Sequence, residues 1–114
     1  MLKVLKSRLK IVELAREWRF WVFKISEAAE KLLGQCEVYV FGSVVEGKVT
    51  GGSDIDILIV SDKVPKRLKD VWKLKTEIEE LSQLPLYHPF EIHLVGKREA
   101  KWYFRHIKKY LKIR

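Results

Sequence analysis

The chain has no asparagine, two glutamines and one cysteine in 114 residues. A lone Cys36 excludes an internal disulfide and fits a reducing cytoplasm. We read it as core filler at a strand edge. No apolar run approaches the ~18 residues of a membrane span, so a membrane is not expected as a partner. The opening MLKVLKSRLK alternates charge with apolar residues and lacks the apolar segment of a secretory signal. Few thermolabile amides beside many Lys, Arg and Glu suggest a thermophilic source. What is present, 47% hydrophobic and 33% charged residues, describes a soluble globular protein. Its length suits one domain over residues 1–114, burying roughly two-thirds of its unfolded surface.

The net charge of +8 is unevenly spread. Residues 97–114 hold eight Lys/Arg against Glu99 alone, and residues 1–19 hold six against Glu13 and Glu17. The middle is mildly acidic. Basic ends favour polyanions: nucleotides, nucleic acid or an acidic partner.

Within that acidic middle, VYVFGSVVEGKVTGGSDIDILIV (38–60) reads as a strand, a Gly-Ser turn, a glycine-containing loop and a second strand. Aspartate is disfavoured in strands, and a carboxylate in an apolar setting needs compensation. Asp54 and Asp56 nevertheless stand directly before Ile57-Leu58-Ile59-Val60. Their spacing of two puts both on one strand face, roughly 6.6 Å apart along the strand. Two oxygen ligands converging from one rigid face suit a hard divalent cation such as Mg²⁺. Gly42 lets backbone approach a phosphate closely, and the turn behind it points free N–H groups at an anion. A rival reading of Gly42 to Val49 as a P-loop fails at Val49, where the metal-binding hydroxyl belongs.

Around this stretch the pattern predicts helices at about Ser7–Leu33, Lys66–Ser82 and Arg98–Ile113, and a short helical turn over Val44–Lys48. Strands are expected at Glu37–Phe41, through Val60, and at Phe90–Val95. Trp21, Ile25, Ala28, Ala29, Leu32 and Leu33 form the expected core stripe of the first helix. Trp18, Phe20, Trp21, Val22 and Phe23 cannot all face one core, because five positions in six residues cover most of a helix circumference. A kink or a protruding end is expected in so long a helix. The fold class is α/β: a small mixed β-sheet of three or four strands with helices packed on one side.

Gly42-Ser43, ten residues, then Asp54-Ile55-Asp56 is a GSx10DxD motif. With a strand on each side, the chain resembles the nucleotidyltransferase superfamily that includes DNA polymerase β, most closely its minimal members. That resemblance implies a polymerase β-like fold, Mg²⁺ or Mn²⁺ as cofactor and ATP as substrate. It implies Asp54 and Asp56 as catalytic metal ligands, and Gly42, Ser43 and Ser53 as nucleotide-binding residues. Glu91, alternating with apolar Phe90 and Ile92, is the candidate third carboxylate and metal ligand, where the superfamily usually has Asp. His93 falls on the same face and is read as a plain polar neighbour. Minimal members commonly pair with a small helical HEPN-type protein and act as antitoxins by adenylylating it. The partner is thus expected to be such a protein, or a second copy, bound through the N-terminal helix. Two alternatives stay open: a weak or inactive regulatory subunit, and a nucleic-acid-directed transferase using the basic C-terminal end.

Overall fold

A computed structural model describes residues 2–48 and 54–114, with side chains described from residue 9 onward. In chain order the elements are α1 (Leu2–Arg16), α2 (Trp18–Leu33), β1 (Glu37–Phe41), α3 (Ser43–Glu46), β2 (Ile55–Val60), α4 (Leu68–Leu81), β3 (Phe90–Val95), α5 (Lys97–His106) and β4 (Tyr110–Lys112). The sheet runs β3-β2-β1-β4. β2 lies parallel to β3 and antiparallel to β1, and β4 runs antiparallel along β1's other edge. The expected mixed α/β sheet is therefore present. Its antiparallel β1–β2 pair also removes the P-loop reading, which needs a parallel neighbour behind the glycine turn. Among the described residues no helix is long and apolar enough to cross a membrane.

Strand alternation divides the apolar residues between two faces. Val38, Val40, Ile55, Ile57, Ile59, Ile92 and Leu94 point to one side, where α2 and α4 cover them. Tyr39, Leu58, Val60 and Val95 point to the other, beneath Ala100, Tyr103 and Phe104 of α5. Helices pack on one side as expected for α2 and α4, with α5 laid across one end of the opposite face. The thiol of Cys36 is buried at the sheet margin, and loss of solvent pushes its pKa up.

The single long N-terminal helix read from sequence is two helices, broken at Glu17, whose backbone (φ −98, ψ 32) leaves the helical region. The break lets Leu14 and Trp18, on either side of it, both enter the core. The buried stripe is Trp18, Val22, Ile25, Ala28, Ala29 and Leu33; Trp21 is only partly buried and Leu32 is exposed. The stripe is thus shifted round the helix from the expected one. Phe20 and Phe23 remain 56% and 54% exposed.

The expected C-terminal helix to Ile113 stops at His106, and Tyr110–Lys112 forms a strand. The reason lies outside the local pattern. Without β4, the outer edge of β1 would present unpaired N–H and C=O groups. Val38 instead donates its N–H to the carbonyl of Arg114 and accepts from the N–H of Ile113. Tyr39 fastens this return, its ring standing edge-on to Phe104 at 4.9 Å and to Tyr110 at 5.4 Å.

The Tyr39 hydroxyl donates to Glu37 Oε2 at 2.7 Å. Burial, and secondly that carboxylate, push its pKa up from 10.0 to about 12. A raised phenol pKa means the folded state holds its proton longer, so stability is constant below the ordinary value and falls above it. Chemical denaturation should therefore show stability dropping across pH 10 to about 12. In Tyr39→Phe that part of the alkaline loss should disappear; an unchanged profile would mean the phenol is not the titrating group.

Candidate active site

The polar residues of the sheet's second face gather at the end that α5 leaves open. The register sets Asp56 opposite Phe41 on β1 and opposite Glu91 on β3. Because side chains alternate, burying Ile55 and Ile57 on one side obliges Asp56 to face the other. Phe90 and Ile92 do the same for Glu91, and Leu94 for His93. The three converge: one ligand atom from each of Asp56, Glu91 and His93 lies within 4.8 Å of the others. His93 Nε2 is 3.3 Å from Asp56 Oδ1 and 3.9 Å from Glu91 Oε1.

Behind His93 stands Tyr103 of α5, its hydroxyl 3.2 Å from Nδ1. A carboxylate only accepts, so Nε2–H donates to Asp56 and Nδ1 then accepts from the Tyr103 O–H. The phenol is held protonated: burial, then the charges of Glu99, Glu91 and Asp56, push its pKa up. Phe41 packs against both rings, 5.5 Å from His93 and 6.2 Å from Tyr103. A cavity of about 530 Å³ opens beside Asp56 and Gly42, walled by Phe41, Trp102, Tyr103 and Lys108.

Gly42 abuts this centre. Its backbone (φ 86, ψ −154) lies in a region open essentially to glycine alone. A Cβ there would stand 2.5 Å from Asp56 Oδ2. The glycine is thus required twice, by the turn from β1 into α3 and by the carboxylate beneath it. Ser43 is the first residue of α3, whose N–H groups at Val45 and Glu46 reach back to the Gly42 carbonyl.

Of the residues expected from sequence, Asp56, Glu91 and Gly42 come together. Asp54 stands one residue before β2, exposed, beside a smaller cavity that Glu91, Trp72 and Lys75 also line. It does not join the group around His93. Ser53 lies outside the described residues. His93, read as a plain polar neighbour, is in the group, and Tyr103 joins it from α5. Alternation with Glu91 was the one signal for His93; nothing local announced Tyr103. Of the other histidines, His88 accepts from Phe90 N–H through Nδ1 and donates through Nε2 to Glu79, joining α4 to the start of β3.

Residues 22–111 match the family described as the Nucleotidyltransferase domain. The chain belongs to that family. A crystal structure of an inferred nucleotidyltransferase is 36% identical, covers 79% of this chain and 94% of its own, and superposes with a TM-score of 0.65. Another inferred nucleotidyltransferase, from Sulfolobus solfataricus and solved at 1.40 Å, is 21% identical; it covers 95% of this chain and 83% of its own at a TM-score of 0.56, a likeness of fold. No curated protein matches the chain.

The divalent metal that nucleotidyltransferases generally use can be tested against the residues present. Octahedral bonds of about 2.1 Å place neighbouring ligand atoms about 3 Å apart. Separations of 3.3 and 3.9 Å need only small side-chain adjustments to meet that. Two carboxylates and an imidazole on a rigid sheet therefore fit a divalent cation, held by Asp56 and Glu91 with His93 beside them.

Gly42→Ala should destabilise the fold by about 1–3 kcal/mol through its backbone conformation and displace the Asp56 carboxylate. Denaturation together with Mn²⁺ titration checks both effects. Wild-type metal affinity in a destabilised Gly42→Ala would show that the glycine serves the turn only.

Proposed function

We propose that this nucleotidyltransferase transfers AMP from ATP to a protein acceptor, with Mg²⁺ or Mn²⁺ as cofactor, and that it acts as the antitoxin of a pair with a small helical HEPN-type protein. The observation that carries the transferase reading is the meeting of Asp56 and Glu91 beside Gly42, on a sheet end that opens to a cavity. In the reaction an acceptor hydroxyl oxygen bonds to the α-phosphorus, the bond from that phosphorus to the bridging oxygen breaks, and pyrophosphate leaves. The hydroxyl proton passes to solvent or a nearby base. A divalent cation bound here would neutralise charge on the phosphates. Asp56 and Glu91 would hold it, Asp54 would supply a further carboxylate at the start of β2, and Gly42 and Ser43 would receive the triphosphate through the backbone and hydroxyl. Ser53 is assigned to the same nucleotide.

Support for a protein acceptor comes from α2. Phe20 and Phe23 lie on its outer face, and exposed aromatics are common anchors of protein interfaces. A second copy on that face is the other occupant. A nucleic-acid acceptor would draw on the basic C-terminal residues, although Arg114 is paired with Glu30 and Lys97 with Asp62.

Incubation with α-labelled ATP, Mg²⁺ or Mn²⁺ and cell extract should label a protein. Asp56→Asn should lower transfer by about 10²-fold or more, the scale for removing one electrostatic stabiliser of the transition state. Glu91→Gln should reduce transfer strongly with only a modest loss of nucleotide–metal binding. Wild-type rates in Asp56→Asn would remove the site assignment. An inactive wild type rescued by Glu91→Asp would make this chain a regulatory subunit.

Phe20→Glu and Phe23→Glu should each weaken capture of the acceptor, and that association should survive moderate salt. Association lost between about 50 and 200 mM salt, and indifferent to both changes, would move the acceptor to nucleic acid.

A further inference from the structure

We propose that His93 is a nitrogen ligand of the metal centre, so that the site prefers a first-row transition dication such as Mn²⁺ over Mg²⁺. The inference rests on the metal-dependent reading above and concerns which ion the site selects. Its first support is position. Nε2 of His93 lies between two carboxylate oxygens, 3.3 Å from Asp56 and 3.9 Å from Glu91. All three ligand atoms lie within 4.8 Å of one another.

Hydrogen bonding alone leaves this arrangement incomplete. A neutral imidazole has one N–H, and it is directed at Asp56. Glu91 Oε1 at 3.9 Å is beyond hydrogen-bond reach. Asp56 and Glu91 stand opposite each other on adjacent strands, and the one imidazole N–H cannot serve both carboxylates. A cation at the centre would satisfy both, together with the imidazole.

The second support is Tyr103. A ligating histidine normally uses its other ring nitrogen to donate to a partner that fixes tautomer and orientation. The Tyr103 hydroxyl, 3.2 Å from Nδ1, occupies that position. It can reverse its role, donating to Nδ1 in the metal-free protein and accepting Nδ1–H when Nε2 binds the ion. Phe41 and the helix-borne Tyr103 ring both pack against the imidazole, each with its centroid 5.5 Å away, and restrict its rotation. The ring is therefore oriented in advance, which an incidental polar neighbour does not require.

Selectivity follows from ligand chemistry. Mg²⁺ favours oxygen and retains its waters, whereas imidazole is a better donor to transition dications. Replacing one oxygen of an all-carboxylate set by imidazole nitrogen shifts preference toward the latter.

Pulsed EPR on the whole chain loaded with Mn²⁺, alone and with inorganic triphosphate as a nitrogen-free phosphate probe, should show ¹⁴N modulation from a directly bound imidazole. His93→Gln should abolish that modulation and lower Mn²⁺ affinity by about tenfold or more, while changing Mg²⁺ affinity much less. Tyr103→Phe should keep the modulation but weaken Mn²⁺ binding by about 10-fold, as outer partners of metal-bound histidines do. Mn²⁺ binding without nitrogen modulation in wild type overturns the inference and leaves a carboxylate-bound metal standing. Modulation that persists in His93→Gln overturns it too. No Mn²⁺ binding under either condition would overturn the metal-dependent reading itself, so the two failures are distinct.

Discussion

Strand β2 can bury Ile55, Ile57 and Ile59 against α2 and α4 only by turning Asp56 to the opposite face. The two-residue period permits no other arrangement, and a slip of one position would bury the carboxylate in the core and turn three isoleucines to the other face. Pairing on both sides makes the register stiff: β1 holds Phe41 against Asp56, and β3 holds Glu91 there. The placing of the acidic centre is thus enforced by core burial, and by residues that never touch it.

The same face is apolar along the rest of its length, and that half is where α5 settles. Leu58, Val60 and Val95 bury Ala100 and its neighbours, which brings Tyr103 to the boundary between the dry and open halves. His93 sits at that boundary, one ring nitrogen toward the carboxylates and the other toward the phenol. Gly42 stands so close to Asp56 that no side chain fits between them. Sheet, helix and glycine turn thus hold the centre beside a cavity, as ligand placement to within fractions of an ångström requires.

Much of this was legible in the residues themselves. The spacing of Gly42, Ser43, Asp54 and Asp56 between two apolar runs was sufficient to suggest a nucleotidyltransferase, and alternation about Phe90 and Ile92 singled out Glu91. These signals are local, because a strand's side-chain period needs only its own sequence. The N-terminal helices were legible in their end at Leu33, and not in their break at Glu17 or their orientation. Periodicity shows that a stripe exists, whereas the competition among Trp18, Trp21 and Val22 for the core is decided by the surface they meet.

The sequence by itself determined strands β1, β2 and β3, their inward and outward faces, the glycine turn and the acidic pair. The tertiary structure decided what those residues meet. Tyr110–Lys112 continues a basic, helix-like pattern, yet becomes a strand because β1 offers an edge whose backbone groups need partners. His93 and Tyr103 are ten residues apart on different elements, and no period relates them. They meet because α5 must cover Leu58 and Val60. Asp54 shows the converse: its spacing from Asp56 is fixed by the chain, but membership of the centre around His93 depends on where neighbouring strands begin. Local periods assign a side chain to a face; only packing between elements, driven by burial of apolar area, determines which faces come within reach of one another.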